Sequence, residues 1–208
     1  MLLQAKIGLV GPSGDFPAVV TTATTEDATV ATSHSVNLPS SIVSGDLLLI
    51  FFRFNTACNA TITGWTRFSS VANTVQWAAF SRLADGSEGA TVTVATDVGV
   101  SIRANAYRVN KQGSNTPEVA TATGTSAAPD APSLSPSWGA GNTLWIAGMA
   151  SNSTWTTDPA NYTNGQSTAS PLCRTCERDL IATSENPAAF ATSASAAWVA
   201  ATVAIKGT

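Results

Sequence analysis

Charge is the scarcest ingredient of this 208-residue chain: Asp, Glu, Lys and Arg make up 11% of it, against roughly 25% in ordinary globular proteins. The ten Lys and Arg are scattered singly, so no basic stripe can neutralise phosphates, which excludes nucleic acid as a partner. A single histidine, His34, and three cysteines, Cys58, Cys173 and Cys176, leave little for metal or nucleophile chemistry. Long apolar runs are missing too. The greasiest stretch, residues 47–52 of GDLLLIFFRF, has six consecutive apolar residues, where a membrane-spanning helix takes about 20, so membrane insertion is not expected. MLLQAKIGLVGPSG is interrupted by Gln4 and Lys6, and no signal peptide is expected.

What is present points to a folded all-β protein. Hydrophobic residues reach 44%, with six Trp and seven Phe, enough apolar surface to offset the entropy of ordering the chain. β-Branched and small residues alternate between Gly, Pro, Asn and Asp breaks, and no segment of a dozen residues holds a helical period. Strands are expected near 28–37, 46–54, 60–69, 74–83, 90–96, 100–109, 117–123, 142–150, 172–181, 188–193 and 196–206.

The chain also resembles itself. Leu38, Gly45-Asp46, Leu48 and Ile50 recur 96 residues later as Leu134, Gly141-Asn142, Leu144 and Ile146. At a spacing of 97, Gly64-Trp65 matches Asn161-Tyr162, Leu83 matches Leu180, Ser87-Glu88 matches Ser184-Glu185, and Ile102 and Ala104 fall on Val199 and Ala201. Half a sandwich has one buried face and is not stable alone. The expected fold is therefore a jelly-roll-like antiparallel β-sandwich built from two pseudo-repeated halves, packed face to face or interleaved. Residues 1–20 form an N-terminal arm or edge segment, and residues 21–208 are the domain. Its halves span about 28–109 and 132–207, joined by a linker over 110–131.

Few constellations carry chemistry. Cys173 and Cys176 have CxxC spacing, but on a strand positions i and i+3 face opposite sides and cannot share a metal; no metal and no cofactor is expected. His34 has no second imidazole or nucleophile elbow beside it and reads as an ordinary strand histidine. Asp85 with Glu88, and Glu177 with Asp179, are the nearest carboxylate pairs for glycoside hydrolysis. LADGSEGA reads as a turn, however, and its Ser-Glu recurs in the second half, so no enzyme is expected. Trp77, Trp145 and Trp198 lie in strands and read as core. Trp155, in the polar stretch SNSTWTTDPANYTNG, has no evident core to enter and is the candidate ligand or glycan contact.

GDLLLIFFRF poses a packing problem. Strand periodicity puts Leu47, Leu49 and Phe51 on one face and Leu48, Ile50 and Phe52 on the other, and a two-layer sandwich covers one face only. A loop, the N-terminal segment or another protomer must cover the second. The later counterpart, GNTLWIAGMA, lacks the bulk of Phe51, Phe52 and Phe54, so these three are expected at an oligomer or assembly interface.

LPSSIVSGDLLLIFF (38–52), GWT (64–66), FSRLADGSEGATVTV (80–94) and WVAATVAIKG (198–207) together resemble accessory virion β-sandwich proteins of tailed bacteriophages, prophages and gene transfer agents. The resemblance covers most of residues 36–207 and implies a non-enzymatic head decoration, spike or tail-fibre-associated protein, assembled in the host bacterial cytoplasm into the virion. It further implies other virion proteins as partners and a homo-oligomer, a trimer by family analogy. A carbohydrate-binding module for host cell-surface polysaccharide is the alternative.

Overall fold

The computed structural model describes residues 14–170 and 172–208. Residues 1–13 of the expected arm lie outside the described residues, and from Ala18 the chain is already an edge strand. The first half supplies β1 (Ala18–Asn37), β2 (Leu47–Phe54), β3 (Ala60–Thr61), β4 (Thr66–Ala72), β5 (Gln76–Leu83) and β6 (Thr91–Asn110). The second supplies β7 (Glu118–Ser126), β8 (Asn142–Ser151), β9 (Trp155–Thr157), β10 (Thr163–Ser167), β11 (Cys173–Ile181), β12 (Ala191–Thr192) and β13 (Ala196–Lys206). The protein is an antiparallel β-sandwich. β7 falls inside the segment expected to be a linker, yet it belongs to the second half.

One strand order is used twice. The first sheet runs β1-β6-β2-β5-β4, and the second, from the corresponding edge, runs β7-β13-β8-β11-β10. Each half thus builds one sheet, and the two lie face to face. The short β9–β12 pair repeats the pairing of β3 with the start of β6. Even an irregularity recurs: a bulge interrupts β4 between Arg67 and Ser69, and β10 between Thr163 and Gln166.

The pairing corrects the register of the repeat. Leu47 lies opposite Val109 and Leu83, while Leu144 lies opposite Ile205 and Asp179. Leu144 is therefore the counterpart of Leu47, not of Leu48, and Asp179 rather than Leu180 is the counterpart of Leu83. The closing strands shift likewise: Trp198 answers Ile102 and Ala200 answers Ala104. A one-residue slip on a strand moves every side chain to the other face, so the correction decides which residues share a core. The turn match survives. Gly64 and Asn161 both have positive φ (77° and 68°), and Trp65 and Tyr162 each donate a backbone N–H three residues back, to Ile62 and Pro159.

Three apolar clusters result. The shared core between the sheets holds Leu47, Leu49, Phe51, Trp77 and Tyr107 from the first sheet and Leu144, Ile146, Cys173, Val199 and Val203 from the second. On the outer face of the first sheet, Ile50, Phe52, Phe54 and Phe80 pack with Leu38, Ile62 and Val94, and Ile42 and Trp65 lie over them. The outer face of the second sheet buries Trp145, Met149, Cys176 and Phe190 with Tyr162, flanked by Leu134, Trp138 and Trp155. Each sheet is covered on its outside by its own loops, which is how a strand can be apolar on both faces.

The expected interface at Phe51, Phe52 and Phe54 is corrected by this arrangement. All three are 0% exposed. In the true register Phe51 answers Gly148, Trp77 answers Cys173 and Tyr107 answers Val203. Three large aromatics of the first sheet thus face a second sheet whose equivalent positions are small, and the extra bulk of the first copy fills space inside the same molecule. Phe51 stacks on Trp77 with ring centroids 5.5 Å apart. A Cβ on Gly148 would come within 2.2 Å of the Trp77 ring.

Candidate functional site

Trp155, the expected ligand contact, opens β9 and packs against the outer cluster of the second sheet, a core that its polar sequence neighbourhood did not reveal. The Arg174 guanidinium lies 3.9 Å above the centre of its ring and is fixed there by a two-pronged bond to Asp158, 2.8 Å from Nε and 2.5 Å from Nη2. A Cβ on Gly165 would sit 1.7 Å from Arg174 Nη2, so the clamp needs glycine at that position. One face of the indole is therefore taken by the chain's own arginine, leaving no open two-sided platform for a sugar ring.

The polar groups singled out by their sequence have scaffold roles. Glu88 accepts from the backbone N–H groups of Asp85 and Gly86 and lies 3.3 Å from Arg82, closing a turn in which Gly86 has φ 88°. Bonds from Ser87 hold the Asp85 carboxyl below the usual carboxylate range. The second half repeats the ion pair as Arg178–Glu185 at 2.8 Å, joined by the Tyr162 hydroxyl. His34 is 2% exposed, with Nδ1 2.7 Å from Asp27 and Nε2 3.0 Å from the Ala31 carbonyl oxygen. It ties together the bulged stretch of β1.

The cysteines point to separate cores, as the strand argument requires: Cys173 into the shared core and Cys176 into the outer cluster of the second sheet. Burial pushes Cys58 up to about 11 and Cys173 up to about 12, and raises Cys176 as well. Since the thiolate is the reactive form, the native protein at neutral pH should label at most slowly with a disulfide reagent, whereas all three thiols should react at once in denaturant. Rapid native labelling of two equivalents would contradict this placement.

The remaining carboxylate pair behaves differently. Glu177 and Asp179 lie two residues apart on β11, both on the face turned toward the first sheet, and line a cavity of about 230 Å³ with Pro17, Val19, Leu144 and Thr163. Asn164, placed beside the β10 bulge with φ 50°, donates from Nδ2 to Glu177 Oε1 at 2.5 Å. Oε2 of Glu177 is buried without a partner among the described residues. Burial is the leading cause that raises both carboxyls, and Asp179 raises Glu177 further. Arg178, between them in sequence, is spent on Glu185. Because burial acts on both in the same direction, it does not divide them into an acid and a base as a hydrolytic pair requires.

No family model, curated protein or solved structure matches this chain.

Proposed function

We propose that the chain is a non-enzymatic structural part of a bacteriophage-type particle, a head decoration, spike or tail-fibre-associated protein that contributes to assembly, stability or host attachment. The observation that carries this reading is β7. This nine-residue strand, EVATATGTS, forms the edge of the second sheet and pairs with β13 without a register break. Lone soluble sheets guard such edges with Lys, Pro or bulges. β7 has none of these, and its one charge, Glu118, is engaged by Ser137. Small and uncharged residues, Thr, Ala, Val, Gly and Ser, otherwise fill it, in keeping with the depletion of charge that marks the cores of protein interfaces.

The residues that carry the phage-type resemblance act here as scaffold: the Gly64-Trp65 turn, the Glu88 turn and the interior strands β2 and β13. A scaffold of this kind, covered on both outer faces by its own loops and with β7 as an edge strand, suits repeated assembly with further copies and with other virion proteins. Recognition of cell-surface polysaccharide is the weaker proposal, because Arg174 covers the ring of Trp155.

Sedimentation velocity over the micromolar range tests the reading. The native chain should self-associate, as a trimer by the family analogy, and Thr121→Lys/Thr123→Lys on β7 should shift it to monomer with an unchanged circular dichroism spectrum. A monodisperse native monomer at every concentration would sink the proposal. Immunogold labelling of particles purified from cells that express the chain then tests the virion location.

A further inference from the structure

Asn164 and Gly165 form the one Asn-Gly dipeptide in the chain, and they sit where the β10 ladder passes them over. Thr163 pairs with Glu177 and Gln166 with Thr175, so the bulge skips both residues between. The β4 bulge of the first half holds Arg67 and Phe68 at the equivalent places, between Thr66 opposite Ser81 and Ser69 opposite Ala79. The scaffold thus builds this bulge without asparagine or glycine. In β10 the glycine answers to a local contact, because a Cβ at position 165 would lie 1.7 Å from Arg174 Nη2. The clamp on Trp155 thereby places behind Asn164 the one residue type with no side chain to shield its backbone nitrogen.

The amide itself is set against an acid. Asn164 is exposed, with φ 50° in the left-handed region that asparagine visits more readily than most residues. Its Nδ2, the atom that departs when a side-chain amide is lost, is the one that donates to Glu177 Oε1. Burial raises Glu177, so its carboxyl keeps a proton to higher pH than an ordinary glutamate does. A carboxylic acid in contact with a leaving nitrogen is placed as a general acid. Asn161, the other left-handed asparagine of this stretch, has φ 68° but is followed by the bulky, buried Tyr162.

We propose that Asn164 is a self-modification site, independent of the particle reading, at which the Gly165 nitrogen attacks the Asn164 side chain and Glu177 delivers a proton to the departing ammonia. The bond from Gly165 N to Asn164 Cγ forms as the Cγ–Nδ2 bond breaks. The Gly165 N–H proton passes to water, and the Glu177 proton goes to Nδ2, which leaves as ammonia. Water then opens the resulting succinimide at either of its carbonyls, giving aspartate or isoaspartate at position 164, and solvent restores the proton on Glu177. The product loses the donor that faced Glu177. It adds a third carboxylate to the cavity that Glu177 and Asp179 already line, and like charges at close quarters oppose each other's ionisation. The modification therefore loosens β10, the edge strand of the second sheet.

Warm storage of the native full chain at neutral pH, sampled over several weeks by peptide mapping with mass spectrometry, tests the site. Asn164 should convert to aspartate and isoaspartate while Asn161 keeps its amide. Glu177→Gln, nearly isosteric but with no acidic proton to give, should slow the native conversion by about tenfold or more. In denaturant the variant and the unaltered chain should convert at equal rates, because the acid is then no longer held at the amide. The native difference should narrow as pH rises and Glu177 ionises. The converted fraction, separated by ion exchange, should melt below the fresh protein. An intact Asn164 in the stored native protein, equally fast loss of the Asn161 amide, equal native rates with and without Glu177, or equal melting of converted and fresh protein would each overturn the assignment.

Discussion

Gly148→Val is expected to destabilise this protein by about 3 kcal/mol or more, near the upper end of the usual cost of overpacking a core. Gly148 lies in β8, the central strand of the second sheet, and even a Cβ there would stand 2.2 Å from the Trp77 ring. That ring cannot swing aside, because Phe51 stacks against it, and β8 cannot retreat while β11 and β13 pair with it on both sides. Urea unfolding followed by tryptophan fluorescence measures the effect as a fall in the midpoint at constant slope. Trp77→Ala alone should cost about 3–5 kcal/mol through the cavity it leaves. The double variant should cost less than the sum by roughly 1–3 kcal/mol, since the valine grows into the vacated space. Strict additivity would show that residues 77 and 148 do not meet.

Phe52→Ala is the second large effect, with an expected loss of about 3–5 kcal/mol. Phe52 stacks on Phe54 at 5.2 Å and meets Phe80 edge-on at 5.7 Å, on the face of β2 turned away from the other sheet. The informative readout is concentration dependence. A residue buried by its own chain loses the same stability at every protein concentration, whereas one buried by a partner loses association, and its melting temperature then follows mass action. The Phe52→Ala deficit should not change over a hundredfold dilution.

Fold class was legible in the sequence because period-2 alternation and turn residues are local signals; most expected strands are found, although 90–96 and 100–109 fuse into β6, 60–69 divides into β3 and β4, and the polar β9 and β10 gave no such signal. Topology was half legible. The repeat of Gly64-Trp65 in Asn161-Tyr162 rests on a positive-φ turn that tolerates few residue types, and it matched correctly. Leu48 and Leu144 were aligned by identity alone, and in β2 every residue from Leu47 to Phe54 is buried. A strand apolar on both faces carries no alternation to fix its phase, so similarity could slip by one. Only the ladder, with Leu47 against Val109 and Leu144 against Ile205, restores it.

That slip explains the misplaced site residues as well. With Phe51 aligned to Ala147, its bulk looked surplus; aligned to Gly148, it is complemented. Trp155 looked homeless because much of its core comes from β11, β13 and distant loop residues such as Phe190, far from it in sequence. Glu177 and Asp179 were visible as a pair, but that their counterparts in the first half are Ser81 and Leu83 emerges only in the correct register.

Completion of one sheet per half has a consequence for synthesis on the ribosome. By Asn110 every strand of the first sheet exists, together with the loops that cover its outer face. Its inner face, carrying Leu47, Leu49, Phe51, Trp77 and Tyr107, must then wait for roughly a hundred further residues, or about 5–20 s of translation. During that interval the nascent chain shows a finished sheet with one naked aromatic surface, the kind of intermediate that chaperones bind and that aggregates in their absence. The small counterpart residues of the second half make this worse before they make it better: no second first-half sheet can close over those aromatics as Gly148 and Cys173 do, so the wait cannot be shortened by neighbouring nascent chains on the same message.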